Sequence, residues 1–256
     1  MNLPRTLISF ILTIGILPHT SAAEYTVTSP DRNLSVTISD DGGILTYRAS
    51  YMNNIMLKPS SLGLNTDFSD MSSGMKITGI KRQQINTSYS VTRTKQSKTN
   101  YSANCIDLSC KGKDNHTFTL TFRVSDNDIA FRYYIPEQND GTRKVKIMNE
   151  LSSFLLPEQT TTFLTPQSLP NTGWEQTKPS YEEDYLTDRP LNETSKYKAG
   201  YTFPCLFRIG DAGWMLISET GTTGDYCGCR LSDYDHDNGY KIEFPQDGEN
   251  NGTGSA

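Results

Sequence analysis

The sequence of residues 117 to 135 alternates apolar and polar positions with a period of two. Phe118, Leu120, Phe122 and Val124 fall on one side, with Thr117, Thr119, Thr121 and Arg123 on the other. A half-buried β-strand presents successive side chains to opposite faces and needs this period. Asp126-Asn127-Asp128 then supplies a polar turn, and Ile129, Phe131, Tyr133 and Ile135 continue the alternation, which makes the pair a hairpin. The same logic recurs upstream. Leu34, Val36 and Ile38 lead through Asp40-Asp41-Gly42-Gly43 into Leu45, Tyr47 and Ala49, and Met52-Asn53-Asn54 offers a second turn before Ile55-Met56-Leu57. Further runs lie at Met75–Ile80, Tyr89–Arg93, Tyr101–Leu108, Val145–Leu156, Thr161–Leu164, Tyr201–Ile209, Trp214–Ser218 and Tyr240–Phe244, while 67–74 reads as a loop. No window carries a long stripe of apolar residues at helical spacing. The expected class is all-β: a large antiparallel β-sandwich over residues 24–245, with no domain boundary inside it.

Gln167 to Lys198 interrupts the pattern. Pro166, Pro170, Pro179 and Pro190 punctuate it, and aromatic and acidic side chains crowd its middle. A long irregular loop inside a compact domain is more often functional than decorative. Trp174, Tyr181 and Tyr185 offer flat faces that suit sugar rings, and Glu182 and Glu183 offer carboxylates that suit a hard cation such as calcium. Adjacent in an extended segment, those two glutamates point to opposite sides. They do not form an acid/base pair by themselves, and solvated loop acids are an even alternative.

Both ends of the chain read differently from the sandwich. Arg5, the apolar run Leu7–Leu17 and Ser21-Ala22-Ala23 follow the layout of a secretory signal over residues 1–23. The run is short for a membrane span, so the mature protein is expected to be secreted or periplasmic. Residues 246–256 are small, polar and glycine-rich, the composition of a tail or linker. A formal net charge of −5 argues against nucleic acid as a partner.

Other chemistries find little support. The histidines are His19, His116 and His236, the last two between polar neighbours, and no nucleophile elbow or phosphate-binding glycine loop is present. Asp233-Tyr-Asp235-His-Asp237-Asn238-Gly239 superficially suggests a calcium loop. The glycine falls one position late and Phe244 stands where a bidentate glutamate belongs, so a polar turn is the simpler reading. Of Cys105, Cys110, Cys205, Cys227 and Cys229, the first two have spacing for a bridge across a turn, but buried thiols are the expectation for most.

Several segments, in order, resemble the amino-terminal domain of glycoside hydrolase family 97. They are Ser29-Pro-Asp31, Asn33–Val36, Leu45-Thr-Tyr47, Ser61–Leu64, Phe122-Arg-Val124, Asp128–Tyr133, Glu150–Phe154, Tyr181-Glu182, Trp214–Glu219 and Asp225-Tyr226. The resemblance implies a supersandwich placed ahead of a catalytic (β/α)8 barrel in exported, calcium-dependent α-glucosidases and α-galactosidases. It implies that Glu182, with Glu183 as the fallback, contributes to the calcium shell. The family's acid and base lie on the barrel, which this chain does not include, so the chain alone is expected to be inactive on α-linked oligosaccharides. The competing reading is a free-standing carbohydrate-binding sandwich that uses Trp174, Tyr181 and Tyr185 as its platform.

Overall fold

The computed structural model describes residues 23–93, 95, 97–136, 145–168, 185–223 and 227–245. Among the described residues the regular elements are strands apart from one 3-10 turn at Asp41–Gly43, and every named pairing is antiparallel.

Two four-stranded meanders form the first half. One runs β1 (Glu24–Thr28), β2 (Leu34–Ser39), β3 (Thr46–Tyr51) and β4 (Asn54–Ser61). Met52 and Asn53 close its last hairpin with positive φ, as a two-residue turn between twisted strands requires. Between the meanders lies the short β5 (Leu64–Thr66). The second meander runs β6 (Lys76–Ser90), β7 (Lys98–Lys111), β8 (Thr117–Ser125) and β9 (Ile129–Tyr134). The alternation of β8 buries Phe118, Leu120, Phe122 and Val124 at 0–1% exposure, and Tyr47 of the first meander packs on Phe122 with ring centroids 5.7 Å apart. Side chains seal the seam between the two sheets. Arg82 and Asn104 donate to the carbonyls of Thr26 and Thr28, each at 2.8 Å, and so occupy part of the open edge of β1.

The second half begins with β10 (Ile147–Glu150), which pairs with β5. It continues as a seven-stranded sheet in which β11 (Ser153–Phe154), β17 (Tyr240–Glu243), β16 (Arg230–Leu231), β14 (Tyr201–Ile209), β12 (Thr160–Pro166) and β13 (Leu186–Pro190) lie in that spatial order. β15 (Gly213–Ile217) also pairs with β14. The core is continuous across both halves, from Val36, Ile38 and Ile106 to Phe207, Leu231 and Tyr240. Polar ties join the halves: the Tyr47 hydroxyl donates to the Ser153 carbonyl at 3.0 Å, and the Ser61 amide donates to the Ser153 hydroxyl at 2.8 Å.

Several expectations need adjusting. The interval Val145–Leu156 is two short strands in different sheets, because the chain crosses there from the small β5–β10 pair to the large sheet. Tyr89–Arg93 is no separate strand: β6 extends to Ser90 and turns back as β7. Beyond Ala103 that hairpin outruns β8 and projects as a two-stranded ribbon, laced by Ser88–Asn100 and Ser102–Asn86 side-chain hydrogen bonds of 2.8 Å each. Cys105 and Cys110 share the single strand β7 rather than facing one another across a turn; both are buried, and burial pushes the Cys110 thiol up to about 12.

Candidate functional site

The register of the large sheet decides what stands beside the irregular segment. Leu164 of β12 faces Leu186 of β13, and Thr165 and Pro166 face Thr202 and Tyr201 of β14. The chain therefore leaves β12 and re-enters β13 at one end of the sheet. Ile217 is opposite Cys205, so β15 runs out toward Glu219 at that same end. The base of the segment is held by the main chain, with the Gln167 amide donating to the Gly200 carbonyl at 2.8 Å and Gln167 and Ser168 both buried. The irregular stretch is shorter than its sequence suggests. Leu186–Pro190 is a strand that borders β12, and the turns at residues 191–200 are pinned by the Ser195 amide donating to Asp233 at 2.7 Å and the Gly200 amide to the Ser195 hydroxyl at 3.0 Å.

Of the residues read as a site, Trp174, Tyr181, Glu182 and Glu183 lie outside the described residues. Tyr185 stands at the re-entry point, half exposed, and its hydroxyl donates to the Phe163 carbonyl at 2.7 Å. That bond fixes the ring against the sheet and leaves an aromatic face at the rim.

Two carboxylates missed by spacing arguments belong to this end. Glu219 accepts a hydrogen bond from the Cys229 amide at 3.1 Å. Glu150, at the end of β10, is close enough to feel the charge of Glu219. Burial is the main cause that pushes its carboxyl above the usual range; the hydrogen bond from Ser152 opposes this, and Glu219 adds to it. Ser152 also shares a 2.8 Å hydrogen bond with Tyr133, whose hydroxyl accepts from the Gly63 amide at 3.0 Å. The phenol of Tyr133 is itself shifted upward by burial and then by Glu150. A carboxyl kept in a partly desolvated pocket by a fixed hydroxyl network is costly to maintain, which marks it as a functional candidate. Its sequence signal is only a glutamate at a strand end, visible in the Glu150–Phe154 segment and not in any spacing motif.

The Asp233–Gly239 cluster is a polar turn. Asp235 accepts from the amides of Asp237 and Asn238 at 3.0 and 2.8 Å and pairs with Gly239 through the main chain. Those bonds hold the Asp235 carboxyl below its ordinary value, the Asn238 side chain being the largest cause.

Comparison with known proteins places this architecture. The Glycosyl-hydrolase 97 N-terminal family matches residues 27–252. The crystal structure of a β-arabinopyranosidase superposes with a TM-score of 0.85 at 45% identity, over 90% of this chain and 37% of that protein. A glycoside hydrolase family 97 enzyme from Pseudoalteromonas sp. strain K8, in complex with panose, shares the fold with a TM-score of 0.72 at 24% identity, over 86% of this chain and 31% of its own. A probable retaining α-galactosidase of Streptomyces bingchenggensis (strain BCW-1) is 24% identical over 217 residues, 83% of this chain and 31% of the relative. The chain thus spans about a third of the length of the proteins it matches. It belongs to the Glycosyl-hydrolase 97 N-terminal family.

Proposed function

We propose that this chain is the N-terminal sandwich of a secreted, calcium-dependent glycosidase acting on oligosaccharides, and that it frames one wall of the active site. The observation that carries this reading is the family match across residues 27–252 combined with coverage of only 31–37% of the relatives. The general acid and its partner carboxylate belong, in this reading, to the barrel that follows the sandwich in the family.

Trp174, Tyr181 and Tyr185 supply the stacking surface, and Glu182, with Glu183 as its substitute, supplies a metal ligand. The relatives bear on the sugar. In the L series a β-arabinopyranoside has the ring configuration of an α-D-galactopyranoside without its hydroxymethyl group. If the arabinose of the 45% identical relative is of the L series, its ring and that of the galactosidase relative are closely similar. We take that ring shape as the substrate class.

Calcium takes about six to eight oxygen ligands. Among the described residues no group of three or more His, Cys, Asp or Glu side chains is assembled. Glu150 and Glu219 are hard oxygen donors of the right kind at the right end of the sheet, and they need partners to complete a shell. Calcium, when bound, would polarise the glycosidic oxygen or the attacking water. The chain's own contribution is to orient Glu150 through Ser152 and Tyr133 and to keep water from one side of the ring.

The test is a calcium titration of the natural gene product beside its Glu182→Gln variant, with hydrolysis of aryl α-galactosides and β-L-arabinopyranosides followed in parallel. Calcium affinity and turnover should fall together, by at least about tenfold. Unchanged calcium affinity in the variant would remove Glu182 from the shell and direct the same experiment to Glu183.

A further inference from the structure

The outer face of the large sheet carries an apolar patch that its own fold leaves open. In β15, Met215 and Ile217 turn toward the core, while Trp214 and Leu216 turn outward at 55% and 62% exposure. The register sets Leu216 opposite Leu206 and Leu206 opposite Phe163, so three apolar side chains cross three strands in one row. Trp214 packs on Phe163 with ring centroids 5.1 Å apart. The guanidinium of Arg208 lies 6.0 Å from the Trp214 ring and is neutralised by Asp188 at 2.7 Å. A strand apolar on both faces is the mark of burial on both faces, and a contiguous exposed patch of this kind marks a macromolecular contact.

We propose that this face is covered, in the natural gene product, by the polypeptide that makes the family's enzymes about three times the length of this chain. The inference rests on the reading given under Proposed function. Three observations commit it to that occupant. The relatives hold roughly two-thirds of their length outside the matched region. The patch is continuous with the candidate site through Tyr185, which is hydrogen-bonded to Phe163, and an enzyme body that reaches the site must lie beside it. Its one described ion pair is internally neutral, so the patch presents apolar area instead of net charge to whatever covers it. A sugar platform fits less well. Leu206 and Leu216 give no stacking plane and no hydrogen-bonding group, whereas they suit a packed protein interface.

Hydroxyl-radical footprinting of the natural gene product tests this, with oxidation at Trp214 and Leu216 normalised to intrinsic reactivity and compared with Tyr89 on the projecting ribbon. The expected result is protection of both residues by at least about fivefold relative to Tyr89, as burial in an interface core requires, unchanged on dilution and without added sugar. Oxidation as fast as at Tyr89 overturns the proposal. So does protection that vanishes on dilution, which assigns the face to a second copy, and protection that appears only with a galacto-oligosaccharide, which assigns it to sugar. A gene product ending at Ala256 overturns it as well. The outcome is separable from the calcium reading: loss of the Glu182 role with Trp214 still protected sinks that reading alone.

Discussion

Tyr133 and Ser152 share a hydroxyl–hydroxyl hydrogen bond of 2.8 Å, and through it the second meander, the Gly63 amide and the Glu150 carboxyl form one connected network. Removing the phenol oxygen leaves the Gly63 amide without that acceptor. Tyr133→Phe should therefore lose about 1–3 kcal/mol in urea unfolding, since an unsatisfied buried donor costs more than an average hydrogen bond is worth. A variant as stable as the parent would mean that water replaces the phenol there.

Glu150 makes a prediction with a definite sign. Its folded carboxyl holds the proton more tightly than the ordinary 4.5, so its contribution to stability is present below that value and is lost as pH rises through the higher folded value. Glu150→Gln mimics the protonated form. Parent and variant should match in stability near pH 4, and the variant should be the more stable at pH 8 while binding calcium less well. Parallel stability curves across that range would contradict the assignment.

Asp114 titrates the opposite way. His116, whose Nδ1 is 2.9 Å away, and then Ser69, at 2.5 Å, hold its carboxyl at about 2 against an ordinary 3.8. The stabilisation is present above 3.8 and is lost as pH falls toward 2. The group is partly solvated, so the effect is at most about 1 kcal/mol. Asp114→Asn should flatten the acid limb of the unfolding midpoint between pH 4 and 2, and NMR titration of the parent carboxyl should give the depressed value directly.

Gly200 lies at the foot of the irregular segment with φ +78°, and a Cβ there would run into the Leu231 carbonyl. No side chain fits without moving main chain. Gly200→Ala should cost more than about 2 kcal/mol, from left-handed strain and displacement of β16. It should also release the Gln167 amide from its carbonyl partner, readable as faster hydrogen exchange at Gln167.

Period-two patterning made most of the fold legible. β2, β3, β8 and β14 bury one face each and β9 half-buries one, and their runs could be read without coordinates because alternation is a local property. Thr121 shows the limit: it occupies the polar side of β8 yet is buried, because its hydroxyl donates to Asp107 at 2.7 Å on the neighbouring strand. β1, β13 and β16 left no signal, being short or polar strands whose formation depends on partners distant in sequence. The candidate site is a different case, since Trp174, Tyr181, Glu182 and Glu183 lie outside the described residues. Aromatic and acidic composition pointed to the segment that leaves β12, and Tyr185 stands at its re-entry. Glu150 and Glu219 are 69 positions apart in numbering, and only the folded chain brings them near enough for the charge of Glu219 to act on Glu150. No spacing rule can see that.

The projecting β6–β7 ribbon has an open flank along β6, a standing invitation to edge-to-edge pairing. Between Met71 and Ile106 the chain has no acidic residue, and its charged side chains are Lys76, Lys81, Arg82, Arg93, Lys95 and Lys98. Two such flanks approaching one another bring like charges together inside a Debye length of about 8 Å, in a molecule whose overall charge has the other sign. The ribbon can extend beyond the sandwich without templating aggregation, and concentrated salt, by screening that repulsion, is the condition under which it should begin to do so.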